Sequence, residues 1–284
     1  MGERPVTGDG VCRLVFSDLD GSLLDHDNYS FEPARPQLEA LESAGIPVIP
    51  TTSKTRAEIE ALRSDLANPH PFIVENGAAI FIPVGYFAER PEAARREGEF
   101  WVRELVAGRG RWVQLLRNLA ERYTGEYEYF SNAGTQGIMS MTGLDEAAAA
   151  RANQRHYSEP VQWRGDPERR RNFIDELVSA GASINEGGRF LSVSGHCDKG
   201  RALTWLAAEY VRQRGGSRAD TLAIGDSGND VAMLEAADTA LLIRSPAHAF
   251  PVLQRREGVI HSEGLGPVGW AEGVATWLAA RQLS

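Results

Sequence analysis

Two aspartates, Asp18 and Asp20, follow a short apolar run near the beginning of the chain. The run, residues 12–17, is too short for a helix and rich in bulky apolar side chains, which predicts a buried strand of a parallel sheet. Side chains at i and i+2 of an extended backbone point to the same side. Two carboxylates at such a short distance from each other must share a cation or a proton. Gly21 permits a sharp turn directly after them.

Such a carboxylate pair suits phosphoryl transfer, in which one aspartate attacks phosphorus, the other handles the proton, and a divalent metal offsets the negative charge. This chemistry also needs donors for the phosphoryl oxygens, a fixed cation and a further carboxylate. Three later strand-like runs each lead into one of these groups. Residues 46–50 lead into Thr52, Ser53 and Lys54, residues 192–195 lead to Lys199, and residues 221–224 lead into Asp226, Asn229 and Asp230.

In this order, the four motifs resemble those of the haloacid dehalogenase superfamily: an Asp-x-Asp-Gly, a Thr or Ser after a second strand, a distant Lys, and a Gly-Asp-x-x-Asn-Asp. Within that superfamily the chain is similar to the mannosyl-3-phosphoglycerate phosphatase family, and the resemblance extends over residues 11–241. The stretches that carry it are residues 45–56, 71–81, 142–155, 157–160 and 188–200. One departure is Gly228, where relatives often carry proline, and it affects the stiffness of the loop more than its chemistry.

Strand-like and helix-like segments alternate up to about residue 83 and again after Lys199. This alternation predicts an α/β fold with a doubly wound, Rossmann-like parallel sheet built from both ends of the chain. The middle of the chain mixes short strands with amphipathic helices, which is typical of an α+β domain. Its position between the Thr52 and Lys199 motifs resembles the type-two cap of sugar phosphatases. We therefore expect a catalytic core of residues 11–83 and 196–284 and an inserted cap domain of residues 84–195.

The resemblance also implies roles for the core residues. Asp18 would attack phosphorus to form an aspartyl-phosphate, and Asp20 would protonate the leaving oxygen and later take a proton from the attacking water. Mg²⁺ would be held by the Asp18 carboxylate, the Asp20 backbone carbonyl and Asp226. The phosphoryl group would be bound by Thr52, Ser53 and Lys199, while Asn229 and Asp230 would orient the metal-bound waters and Lys199.

Residues that select the substrate are expected at the boundary between cap and core. Arginine binds a carboxylate through paired hydrogen bonds, and Arg189 is the candidate from the cap, with Asn76 and Gly77 facing it from the core. The chain contains only two lysines, Lys54 and Lys199. A compact ammonium suits a crowded phosphate pocket, so Lys54 is a further candidate, although it could equally serve only to open the following helix.

Composition excludes several other classes of protein. The chain has 284 residues, 42% of them hydrophobic, which is long enough for two domains. Its net charge of −9 and the absence of a basic block argue against a nucleic-acid partner. Two cysteines provide neither a disulfide framework nor a zinc cluster. Because no signal pattern or membrane-length apolar run is present, we expect a cytoplasmic protein without a membrane partner; the oligomeric state stays open.

The resemblance implies a Mg²⁺-dependent phosphatase that converts mannosyl-3-phosphoglycerate to phosphate and mannosylglycerate, a compatible solute. A phosphatase for glucosyl-3-phosphoglycerate, sucrose phosphate or trehalose phosphate, or a phosphomutase, would share the core and differ in the cap. A non-catalytic sugar-phosphate sensor is a more distant alternative, since a binder has no use for a proton donor beside a nucleophile. A glycosidase would need carboxyl groups about 5 Å or more apart and no metal.

Overall fold

The computed structural model describes residues 10–187 and 189–282. Residues 283 and 284 of the predicted core and Gly188 of the predicted cap lie outside the described residues. The strands are β1 (Val11–Ser17), β2 (Val48–Pro50), β3 (Phe72–Val74), β4 (Ala79–Pro83), β5 (Arg95–Glu97), β6 (Phe100–Glu104), β7 (Tyr127–Tyr129), β8 (Glu159–Trp163), β9 (Ser183–Gly187), β10 (Phe190–Ser194), β11 (Arg218–Gly225), β12 (Thr239–Arg244) and β13 (Val259–Leu265). The helices are α1 (Arg35–Ser43), α2 (Arg56–Asp65), α3 (Gly110–Leu119), α4 (Phe130–Thr142), α5 (Glu146–Asn153), α6 (Pro167–Ser179), α7 (Lys199–Arg214), α8 (Val231–Ala236) and α9 (Gly266–Gln282).

Five parallel strands form the core sheet, in the order β13-β12-β11-β1-β2. Alternate residues of β1 face opposite sides of this sheet. Leu14 and Phe16 belong to an apolar cluster with residues of α7 and α8, whereas Val15 belongs to a second cluster with residues of α1, α2 and α9. Helices therefore cover both faces, and the predicted doubly wound parallel core is confirmed.

The last strand and helix of the core, β13 and α9, were not predicted from the sequence. Glycine ordinarily disfavours a helix, yet α9 contains Gly269 and Gly273. A Cβ on Gly269 would lie 2.3 Å from a backbone carbonyl oxygen of β13, and a Cβ on Gly273 would lie 2.3 Å from the side chain of Leu241. These glycines let α9 pack directly on the sheet, where it buries Trp270.

A second sheet, of antiparallel strands in the order β3-β4-β6-β5, adjoins the core sheet. Thr51, just beyond β2, forms a parallel bridge to Ile73 of β3. β4 pairs with β6 in this sheet, so strands from both sides of the predicted boundary at residues 83 and 84 lie together. The boundary itself stays a prediction.

The inserted segment contains a third sheet, antiparallel, in the order β7-β8-β10-β9. In this sheet β9 pairs with β10 in antiparallel orientation. Helices α3 and α6 pack on this sheet through Trp112 and Phe173. α4, which was not predicted, breaks at Gly134, whose φ is +62°. β9 approaches Gly228–Asp230 of the core, so this α+β unit lies beside the core loops that carry the predicted site. Of the helices that the structure describes, none is long and apolar enough to cross a membrane.

Candidate active site

The predicted catalytic groups meet at the carboxyl ends of two adjacent strands. Asp18 lies directly beyond β1, and its backbone N–H donates to the carbonyl oxygen of Ile224 in β11 over 2.9 Å. Asp226 and Asp230 lie on the loop that follows β11. Although β1 and β11 come from opposite ends of the chain, carboxylate oxygens of the three aspartates lie within 4.8 Å of one another.

Lys199, the first residue of α7, is fully buried between two of these carboxylates. Its Nζ donates to Oδ1 of Asp18 and to Oδ1 of Asp230, each over 2.6 Å. Burial alone would lower the pKa of Lys199, but the two carboxylates outweigh it and the pKa is raised. Oδ2 of Asp230 accepts from the backbone N–H groups of Asp226 and Ser227, both over 3.1 Å. Asp230 therefore fixes both the lysine and the loop.

The cluster has an excess of negative charge. Three buried carboxylates face one buried ammonium, so two negative charges are uncompensated when all four groups are ionised. Burial raises the pKa of Asp18 well above its ordinary value, while Lys199 opposes the shift. Burial, and next the charge of Asp230, raises the pKa of Asp226 to about 6. A group of carboxylates with this excess of negative charge binds a cation or protons.

The donor set fits a divalent metal ion. Carboxylate oxygens are hard ligands of the kind that Mg²⁺ prefers, and the double positive charge of the ion matches the two uncompensated negative charges. Gly21 makes room beside the cluster: its φ is +79°, and a Cβ there would lie 2.9 Å from Oδ2 of Asp226. Hydrogen bonds from Lys199 and the loop backbone already occupy the carboxylate of Asp230. The carboxylates of Asp18 and Asp226 are therefore better placed to bind the metal directly.

Asp20 forms an ion pair with Lys54, the other of the two lysines in the chain. Lys54 Nζ lies 2.8 Å from Oδ2 of Asp20 and 5.4 Å from the ring centroid of Tyr29. Burial alone would lower the pKa of Lys54, but Asp20 and neighbouring acidic groups raise it overall. Oδ1 of Asp20 is buried and has no hydrogen-bond partner among the described residues.

The predicted phosphate-binding residues Thr52 and Ser53 lie on the loop after β2. Thr52 is buried, and its hydroxyl oxygen accepts from the backbone N–H of Lys54 over 3.1 Å. That contact leaves the hydroxyl proton free to bind a phosphoryl oxygen. The carbonyl oxygen of Ser53 accepts from Arg155 of the inserted segment over 2.6 Å.

Asn229, Asn76 and Gly77 join the loops around the cluster. Asn229 Nδ2 donates to Oδ1 of Asn76 over 3.1 Å. A Cβ on Gly77 would lie 2.1 Å from the carbonyl oxygen of Asp198, so Gly77 packs directly against the beginning of α7. Both predicted substrate residues therefore have close partners within the core.

Arg189 lies directly before β10, and its guanidinium donates to the carbonyl oxygens of Met141 and Thr142 over 3.3 and 3.2 Å. These carbonyls end α4. Among the contacts of the described residues, none joins Arg189 to Asn76 or Gly77. Its part in substrate binding stays a prediction.

Two polar residues near the site, Glu75 and His248, were not singled out from the sequence. Glu75 is buried and accepts hydrogen bonds from the inserted segment. It follows β3 as Asp18 follows β1, so the rule that identified Asp18 could also have identified Glu75. His248 Nε2 lies 3.5 Å from Oδ2 of Asp226, but it lies on an irregular loop without a sequence pattern that would reveal it.

Comparison with known proteins gives a consistent result. The family described as haloacid dehalogenase-like hydrolase matches residues 15–88 and 166–245. A glucosyl-3-phosphoglycerate/mannosyl-3-phosphoglycerate phosphatase from Methanococcoides burtonii is 36% identical over 257 residues, which cover 90% of this chain and 94% of the relative. A mannosyl-3-phosphoglycerate phosphatase from Pyrococcus horikoshii is 35% identical over 241 residues, which cover 84% of this chain and 93% of the relative.

Among solved structures, a sugar phosphatase of haloacid dehalogenase subclass IIB is similar with a TM-score of 0.63. The match covers 93% of this chain and 98% of that one, at 15% sequence identity. At this identity the likeness shows the fold alone: a parallel core with an inserted cap.

Proposed function

Because this chain belongs to the haloacid dehalogenase-like hydrolases, and within them to the mannosyl- and glucosyl-3-phosphoglycerate phosphatases, we propose that it hydrolyses mannosyl-3-phosphoglycerate to mannosylglycerate and phosphate. The observation that carries this proposal is the buried cluster in which Lys199 joins Asp18 and Asp230 beside Asp226. A binding module would have no need for a nucleophile, a proton donor and a fixed cation together. The chain is therefore an enzyme of the phosphoric monoester hydrolase class.

In the proposed first step, a carboxylate oxygen of Asp18 attacks phosphorus, and the bond from phosphorus to the glycerate oxygen breaks. Asp20 supplies the proton that the leaving oxygen takes up. In the second step, Asp20 takes a proton from water, whose oxygen attacks phosphorus and releases Asp18. The hydrogen bond from Lys199 to Oδ1 of Asp18 fixes one oxygen, which leaves the other to act as the nucleophile.

Charge on the phosphoryl group is offset by neighbouring residues. Lys199 supplies a fixed positive charge, and the Thr52 hydroxyl supplies a hydrogen-bond donor. We propose Mg²⁺ as the cofactor, held by Asp18, Asp226 and the Asp20 carbonyl, where it would neutralise the carboxylates and polarise the phosphoryl oxygens. Asn229 and Asp230 would act by orienting its water ligands and Lys199.

The substrate assignment rests on the names of the relatives. One relative is named for mannosyl-3-phosphoglycerate alone, and another is named for the glucosyl and mannosyl forms together. Glucosyl-3-phosphoglycerate is therefore the second candidate. A location in the cytoplasm and a role in making a compatible solute are parts of the same proposal.

Steady-state kinetics with the wild-type protein tests the assignment. We expect kcat/KM to be highest for mannosyl-3-phosphoglycerate in a panel with glucosyl-3-phosphoglycerate, sucrose phosphate, trehalose phosphate and hexose phosphates. Activity should vanish in EDTA and return with added Mg²⁺. A simple hexose phosphate at the top of the ranking would overturn the substrate, and undiminished activity in chelator would overturn the metal-dependent mechanism.

A further inference from the structure

The carboxylate of Glu75 connects the core to the inserted segment. Only 2% of this residue is exposed. Its oxygens accept from the backbone N–H groups of His156, Tyr157 and Ser158 over 2.8, 3.2 and 2.8 Å. The hydroxyl of Ser158 adds a fourth hydrogen bond of 2.6 Å. A carboxylate that receives several N–H donors is strongly held, so residues 155–158, the hinge segment, are fixed to the end of β3.

The backbone on the other side of Glu75 is bonded to the phosphate loop, residues 51–54. The N–H of Glu75 donates to the carbonyl oxygen of Lys54 over 3.0 Å, and the N–H of Asn76 donates to that of Thr52 over 2.9 Å. Arg155 of the hinge segment reaches the same loop at Ser53. Glu75 thus lies between the residues that would hold phosphate and the residues that precede β8 of the cap sheet.

The backbone geometry at this position is unusual. Glu75, Asn76 and Gly77 have φ angles of +49°, +60° and +92°. Two successive non-glycine residues in the left-handed region cost free energy and persist only where surrounding contacts determine them. The turn lets the N–H groups of Glu75 and Asn76 face the phosphate loop while the carboxylate of Glu75 faces the hinge segment. It also places Gly77 against the residue that precedes Lys199.

We propose that Glu75 is a positioning residue, which holds the hinge segment in register with the phosphate loop. The sugar-acid end of the substrate, bound under the cap, would then reach the correct distance from Asp18 when its phosphate is bound in the core. This inference rests on the proposed function, because it requires a substrate that contacts both parts. A phosphate ester without a sugar would not depend on the register.

The variant Glu75→Gln keeps the shape of the side chain and removes its charge. We expect it to lower kcat/KM for mannosyl-3-phosphoglycerate by about 10- to 100-fold, as misplacement of a substrate by about 1 Å does. For p-nitrophenyl phosphate, which presents no sugar acid to the cap, we expect a change of less than about threefold, since its binding needs no register between the two parts. A purely structural defect would lower both values by the same factor and would overturn the proposal.

Glu209→Gln provides a matched control. Glu209 is 3% exposed and accepts from Arg212 and Gln213, so it is a buried, hydrogen-bonded glutamate like Glu75. Among the hydrogen bonds of the described residues, none joins Glu209 to the hinge segment. We expect the ratio of the two kcat/KM values to be the same in this variant as in the wild type.

Amide hydrogen exchange gives a readout that needs no substrate. Glu75→Gln should speed exchange at residues 156–158 by at least about tenfold, because each amide loses a charged acceptor, and Glu209→Gln should not. Ser158→Ala, which removes only the hydroxyl donor, should change the ratio and the exchange in the same direction to a smaller extent. If Glu75→Gln does not fold, Ser158→Ala tests the proposal in its place. An unchanged ratio of the two kcat/KM values together with unchanged amide exchange in Ser158→Ala would then overturn the proposal.

The wild-type protein separates this inference from the proposed function. If another sugar phosphate is the best substrate, the assignment to mannosyl-3-phosphoglycerate fails, and the ratio is measured with that compound against p-nitrophenyl phosphate. If Glu75→Gln lowers kcat/KM for the best sugar substrate and for p-nitrophenyl phosphate by the same factor, the positioning role is wrong while the proposed function stands.

Discussion

Two buried clusters in this protein contain the same kinds of charged groups and differ in their charge balance. In the core, Asp18, Asp226 and Asp230 share one ammonium. In the cap, Glu159 faces the guanidinium of Arg109. Oε1 of Glu159 accepts from Arg109 over 3.1 Å and also from a backbone N–H over 2.9 Å. The cap pair is neutral as a whole, whereas the core cluster requires a further cation.

This difference indicates what each cluster does. A neutral, hydrogen-bonded pair holds elements together, and here Arg109 also reaches Asn153 at the end of α5. A cluster with excess negative charge is less stable on its own and gains stability by binding a metal ion. Substitutions in the core should therefore reduce catalysis without much loss of stability, and substitutions in the cap pair should do the reverse.

The largest effect is expected from Asp18→Asn. The amide cannot form an aspartyl-phosphate, so kcat should fall by at least about 10⁴-fold, as for loss of other essential nucleophiles. The variant also removes one of three crowded negative charges, and its melting temperature without metal should equal or exceed that of the wild type. Scanning calorimetry in EDTA, beside an activity assay, checks both. A large loss of stability would contradict the contrast between the clusters.

Asp20→Asn should lower kcat by about 10²- to 10⁴-fold, the usual contribution of a general acid and base. The effect should be smaller for p-nitrophenyl phosphate, because its leaving group needs little help from a proton donor. Single-turnover kinetics with both esters measures the difference. Equal losses with the two esters would speak against Asp20 as the proton donor to the leaving group.

Arg109→Met tests the cap pair. It leaves the buried carboxylate of Glu159 without its charge partner, which should cost about 3–5 kcal/mol of unfolding free energy. Arg109 is only 15% exposed, so solvent screens the pair weakly. Urea unfolding provides the measurement, and the double variant Arg109→Met/Glu159→Gln should recover part of the loss. Turnover of p-nitrophenyl phosphate by the folded fraction should be nearly unchanged; a loss like that of Asp20→Asn would contradict the comparison.

The smallest effect concerns pH in the absence of metal. The pKa of Asp226 is raised to about 6 in the folded protein by burial and by Asp230, against about 3.9 in an unfolded chain. Asp226 therefore binds more protons in the folded state than in the unfolded state between these values, and its contribution to stability falls as the pH rises through that window, by at most about 3 kcal/mol. Urea unfolding in EDTA from pH 4 to 7 should show this fall.

Two comparisons isolate the contribution of the core cluster to that pH dependence. Asp226→Asn should reduce the fall, and added Mg²⁺ should restore wild-type stability at pH 7 because the metal stabilises the charged carboxylate. A fall of the same size in Asp226→Asn would assign the pH dependence to other groups.

Much of the core could be predicted because its elements are marked locally. An apolar run followed by Asp18 and Gly21 identifies a parallel strand with its ligand-binding end, and the structure confirms that strand as β1, between β11 and β2. The same rule applied to the run before Glu75 would have drawn attention to that residue. Residues whose role depends on a distant partner, such as His248, have no such local mark.

The sequence by itself determined the α/β class, the strand ends that carry the aspartates, and the presence of a different kind of domain between them, because side-chain periodicity and strand-end motifs are local properties. Only the tertiary structure decided that α9 is a helix, since Gly269 is favoured there by a close approach to β13 that has no counterpart in helix propensity. It likewise decided that Lys54 faces Asp20 and that Glu75 faces the hinge segment. Such contacts depend on how separate parts of the chain pack in three dimensions, and the spacing of residues along one chain does not contain that information.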